Sequence, residues 1–173
     1  ATELYRILKK DSRFKVWITR DKLGYTTEFA NYFGDHLAEI QAFREAARKS
    51  NQEKIDSGSI AKVEGVPHHS VSADVATILY GLNKWANENK MDAVIHIHFN
   101  DYPRTQKWAG GKHTGFAMYI PDAEMNNWKE SGQLAAGIYM QLIKKYTTST
   151  YELELGGLVP DQQLIALGAS GTL

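Results

Sequence analysis

The sequence predicts an α/β layered fold, in which runs of strand character alternate with amphipathic helices along 173 residues. Three features carry that prediction. Residues 91–101 read Met-Asp-Ala-Val-Ile-His-Ile-His-Phe-Asn-Asp, a β-branched apolar run that ends in histidines and polar residues. A helix-period stripe of Val75, Ile78, Leu79, Leu82, Trp85 and Ala86 feeds straight into it. A second apolar run, Gly115 to Ile120, is stopped by Pro121, and another helical stripe of Leu134, Ile138 and Leu142 comes after it.

In chain order, Leu4, Ile7 and Leu8 keep helical spacing with Lys9-Lys10 behind them, the pattern of a helix's last turns. Phe14 to Thr19 alternates apolar and polar residues, which predicts a strand, and Leu23-Gly24-Tyr25 predicts a turn. Phe29 to Asp56 is mostly helical, with Leu37, Ile40 and Phe43 on one stripe. Charged and polar residues outnumber the apolar ones there, which places it on the surface rather than in the core. Ser57-Gly58-Ser59 breaks it, and Val66 to Ser70 is a loop. Ser70 or Ser72 caps the next helix. After the histidine run, Tyr102 to Lys112 is a polar loop holding Gly110-Gly111. Ser131 precedes the Leu134 helix, and Asp161 is placed to cap a short helix through Leu167.

Composition narrows the chemistry. Twenty basic and twenty acidic residues cancel, so nothing points to nucleic acid or an anionic membrane. With no cysteine, disulfides and thiolate metal sites are excluded, and any metal must use imidazole and carboxylate. No apolar run approaches the roughly 18 residues of a membrane span. The opening residues do not read as a signal peptide.

The histidine run is where chemistry is expected. Side chains alternate on a strand, so Val94, His96 and His98 share one face and Ala93, Ile95, Ile97 and Phe99 the other. Two residues of strand rise put the histidine Cα atoms roughly 6.5 Å apart, near enough for one site. Ligands of open α/β sheets sit beyond the carboxyl ends of strands, which favours His98 over the deeper His96. Imidazole is the commonest metal-binding side chain. The plain alternative is a pair of core histidines satisfied by hydrogen bonds.

The same residues resemble a family. Lys15-Val16-Trp17-Ile18-Thr19-Arg20, Ala86-Asn87, the run Asp92 to Asn100, Gly115 to Tyr119, and Ser131 with Leu134-Ala135 succeed one another here. In that order they resemble the zinc-dependent N-acetylmuramoyl-L-alanine amidases of the amidase-3 type. The resemblance implies a three-layer mixed sheet flanked by helices and one domain over residues 1–173, with a helical insertion at about 29–65. It implies hydrolysis of the amide between N-acetylmuramic acid and L-alanine of the bacterial peptidoglycan stem peptide, at the cell envelope or outside the cell. His98 falls on a family zinc ligand, and His96 falls where the family has a small residue. His96 is therefore expected to support His98 from behind, with direct ligation as the alternative.

Two parts of the family pattern have no counterpart in this sequence: an early strand with further zinc ligands and a late strand with the catalytic glutamate. No catalytic residue is thus expected within the chain, which reads as an amidase domain incomplete at both ends. The rival is a non-catalytic amidase-like module binding cell-wall glycan, peptide or a partner protein. A third reading is a different metallohydrolase using His96, His98 and a carboxylate such as Asp101. Asn100, Asp101, Arg104 and His113 are candidates for contacting peptidoglycan fragments, against loop capping or plain solvation. His68-His69 and His36 are expected in a loop and on a solvated face, and Trp85 in the core. Trp108 and Tyr102, in the polar loop, are less easily placed there, and sugar stacking is the alternative.

Overall fold

A computed structural model describes residues 1–61, 71–99, 106, 108–161 and 164–165. Helices α1 (Thr2–Leu8), α2 (Thr27–Asp35), α3 (Leu37–Asp56), α4 (Ala73–Glu88) and α5 (Trp128–Leu142) accompany strands β1 (Met118–Pro121) and β2 (Leu158–Asp161). The mixture of helix and parallel strand is α/β in character, as the alternation predicted. The two strands pair in parallel, Met118 opposite Leu158 through Pro121 opposite Asp161.

Helices α2 and α3 depart most from expectation. His36 interrupts what the sequence presents as one helical stretch. The pair does not lie merely on the surface: Phe29 and Ile40, each 1% exposed, are the largest fully buried side chains among the described residues. The abundance of charge belongs to the outer face and conceals a narrow apolar stripe, which here meets α4. Phe29 packs on Trp85 with ring centroids 4.7 Å apart, and Trp17 meets Trp85 edge-on at 5.6 Å. Tyr25, Tyr32, Phe33, Leu82 and Met91 pack around Phe29, Trp85 and Ala86. Aromatic pairs of this geometry contribute roughly 0.5–1.5 kcal/mol beyond area burial.

Helix α4 begins at Ser72, whose hydroxyl accepts the Val75 N–H at 3.4 Å, so the second of the two expected caps is the one used. Its buried face runs through Ala76, Tyr80, Asn83, Trp85 and Ala86, while Val75 is half-exposed. The stripe is rotated from the expected one because α3 packs beside Gly81, where an added Cβ would meet Ile40 Cδ1 at 3.0 Å. Absence of a side chain there sets how closely the two helices approach.

Strand expectations fared unevenly. Residues 14–18 are assigned to neither helix nor strand, and beyond them stands one isolated antiparallel bridge, Arg20 with Tyr25. The expected turn lies between them, closed by Asp21 N–H to Gly24 O at 2.8 Å. Residues 93–99 are likewise not a strand. An apolar alternating run becomes a strand only when a neighbour takes up its backbone groups, and among the described residues none does. β1 begins at Met118, three residues after the expected start, because Phe116 joins Thr148 in a separate parallel bridge. β2 occupies residues 158–161, ahead of the short helix expected from Asp161. The Asp161 carboxylate does accept the Leu164 N–H at 2.9 Å, a local cap, while 166 and 167 lie outside the described residues. α5 starts at Trp128 rather than after Ser131, and Leu134 is half-exposed while Ala135 is buried.

Candidate functional site

The route into the histidine segment is fixed by how α4 ends. Met91 N–H reaches Ala86 O at 3.0 Å and Lys90 N–H reaches Asn87 O at 3.1 Å, while Lys90 takes φ 51°. This is a Schellman end, with a left-handed residue just past the cap and an apolar contact closing it. That contact is Met91 packed on Trp85 and Ala86. Asn89 adds its side-chain amide, donating to Trp85 O at 2.8 Å. The turn directs residues 92–99 away from the helix axis along a defined path.

Along that path His96 and His98 come together. Their ring centroids are 6.2 Å apart and the ring planes differ by 17°. His98 is exposed and His96 half-buried. The Nε2 atom of His96 is closed to solvent and has no hydrogen-bond partner. Burial, and secondarily the neighbouring His98, hold the His96 imidazole below its ordinary range, so it is neutral at pH 7. The apolar residues beside them are not buried: Val94, Ile95 and Ile97 are half-exposed and Phe99 is 96% exposed.

The other candidates are scattered. Asn100, Asp101, Arg104, Tyr102 and the His68-His69 pair lie outside the described residues. His113 sits in the approach to β1, its Nδ1 3.4 Å from Thr150 O and its ring 5.1 Å from that of Tyr151. Gly115 brings these segments into contact: at φ +97° its Cα lies so near Thr148 that a Cβ would fall 2.3 Å from the Thr148 carbonyl oxygen. Trp108 is 83% exposed, whereas Trp85 is buried in the core as expected. His36 is half-exposed, its ring tilted 33° against that of Tyr32 at 4.7 Å and its Nδ1 3.2 Å from Glu39.

A charged cluster between α2, α3 and α4 was not singled out from sequence. Lys84, with its side chain 12% exposed, donates to Glu39 at 2.9 Å, to Glu88 and to the Tyr32 hydroxyl at 3.4 Å. Tyr32 in turn donates to Glu88 at 2.5 Å. Burial pulls the Lys84 ammonium down, but Glu88, Glu39 and Tyr32 together outweigh it and hold the charge. Burial first, and then the Glu88 carboxylate, push the Tyr32 phenol up to about 12. The Lys84–Glu88 spacing of four was visible in the sequence, but the contributions of Tyr32 and Glu39 arise only from helix packing. Every member has a partner inside the cluster, which makes it a fastening between helices.

The donors present suit a borderline divalent metal: two imidazoles, one with an orphaned nitrogen. They make only part of a shell, since no group of three or more His, Asp or Glu converges among the described residues. No described helix is long and apolar enough to cross a membrane. No family model matches the chain, and no curated protein or solved structure matches it.

Proposed function

We propose that the chain is part of a zinc-dependent N-acetylmuramoyl-L-alanine amidase of the amidase-3 type, acting on peptidoglycan at the cell envelope or outside the cell. The observation that carries this proposal is the run from Ala86-Asn87 through Asp92 to His98-Phe99-Asn100. The α4 end fixes where that run leaves the helix, and the exposed His98 stands at the position of the family's ligand. Half-exposed Val94, Ile95 and Ile97 support the proposal as well. On this proposal the segment is a buried strand of the three-layer sheet. Apolar residues on both faces suit a place between neighbours, which residues 93–99 lack among the described residues. On this view the remaining metal ligands and the glutamate come from outside residues 1–173.

His98 would hold the metal through one ring nitrogen. A bound zinc supplies Lewis acidity to the scissile amide carbonyl. His113, beside Thr150 and Tyr151, is the described member of the residues expected to contact the stem peptide. The test is turnover of muramoyl peptides by the protein carrying this chain with the flanking family strands, with and without His98→Ala. Loss of turnover is expected, and equal rates would end the proposal.

A non-catalytic module that binds cell-wall glycan or peptide is the second reading, favoured by the lack of a three-donor group among the described residues. Peptidoglycan binding unchanged by His98→Ala, without hydrolysis by the longer protein, would support it.

A further inference from the structure

We infer that His96 is a second metal-binding imidazole, forming with His98 a two-nitrogen chelate for zinc or a cation of similar softness. This deepens the amidase proposal and rests on it for the role of His98. It gives His96 a direct role where the family resemblance implies only support from behind.

Two observations converge on it. The ring centroids stand 6.2 Å apart, with planes 17° from parallel, so one ring must turn for both in-plane lone pairs to meet on one ion. With metal–nitrogen bonds of about 2.05 Å, two imidazoles on one ion have centroids ~5.2 Å apart at a tetrahedral angle and ~6.4 Å apart when opposed. The observed separation lies inside that span, and closing by about 1 Å through side-chain rotation reaches the tetrahedral value. Second, the Nε2 atom of His96 is buried without a partner. A buried imidazole nitrogen left so is unfavourable, and rotation onto a shared ion satisfies it. His113 is not a third donor, since its ring is turned to Thr150 and Tyr151.

The experiment is zinc titration of the whole chain against a chromophoric indicator, with the visible spectrum of the cobalt-substituted protein as a second readout. Parent protein, His96→Ala, His96→Gln, His98→Ala and His113→Ala are compared. Expected is one ion per chain, weakened about a hundredfold by either the His96 or the His98 substitutions and untouched by His113→Ala, because tethering gives the second donor a high effective concentration. His96→Gln keeps a polar side chain of similar reach without the imidazole, so its loss must match that of His96→Ala. Retained affinity in both His96 variants, with loss in His98→Ala, overturns the inference and leaves the amidase proposal standing. Absence of binding by the parent chain also overturns it. The amidase proposal fails separately, on turnover by the longer protein.

Discussion

Replacing Gly115 with alanine tests how the approach to β1 is held against the Thr148–Thr150 segment. The φ of +97° costs an L-residue roughly 1–2 kcal/mol before any contact is considered. The added Cβ would then fall 2.3 Å from Thr148 O and 2.9 Å from Ser149 N, both backbone atoms that no side-chain rotation can clear. Relief requires separating the two segments. They are joined by Phe116 N–H to Thr147 O at 3.1 Å, Ser149 N–H to Phe116 O at 2.8 Å and Thr150 N–H to Thr114 O at 2.9 Å. Losing two of these adds about 2 kcal/mol at about 1 kcal/mol each. The sum is about 3–4 kcal/mol. Gly24→Ala is the internal control, since its φ is +139° but nothing lies within 4 Å of the built Cβ. It should cost only the backbone part, about 1–2 kcal/mol. Urea denaturation reads the difference: at a slope of about 2 kcal/mol/M, Gly115→Ala lowers the midpoint by ~1.5–2 M and Gly24→Ala by ~0.5–1 M. Equal shifts in the two variants, or a Gly115→Ala shift below ~0.5 M, would refute the steric account.

Two further outcomes are expected. Lys90→Gly should stabilise the protein by about 0.5–1 kcal/mol, because relief of the left-handed backbone at φ 51° exceeds glycine's extra unfolded-state entropy; Lys90→Ala should be neutral, and a lower denaturation midpoint for the glycine variant would contradict the Schellman assignment. Tyr32 is raised from 10.0 to about 12, so the folded protein keeps a proton that the unfolded chain releases near pH 10. The resulting stability is full below pH 10 and is lost between pH 10 and about 12. Denaturation midpoints should therefore fall less steeply across that window in Tyr32→Phe than in the parent. Identical slopes would show that burial and the Glu88 carboxylate do not hold the phenol above its ordinary range.

Helices were legible where local signals agree. The α4 span, a cap at one of two serines and the Trp85–Ala86 end of its core follow from 3.6-residue periodicity and capping chemistry acting over a few residues, whereas the rest of its buried face does not. Turns behaved the same way, as at Asp21–Gly24. Legibility failed where a residue's state depends on what arrives from elsewhere. Phe29 and Ile40 are core residues only because α2 and α3 fold back on α4, a fact hidden by the charges on their outer faces.

By itself the sequence determined that the chain is α/β in character and that any metal held by residues 1–173 must be met by imidazole and carboxylate rather than thiolate. Tertiary structure alone decided that the two rings stand 6.2 Å apart with one nitrogen orphaned, that Lys84 is ringed by Tyr32, Glu39 and Glu88, and that 93–99 is not a strand. The physical reason is common to all three. Periodicity and residue type are properties of neighbours along the chain, whereas hydrogen-bond satisfaction, burial and strand pairing need groups brought from far away in sequence.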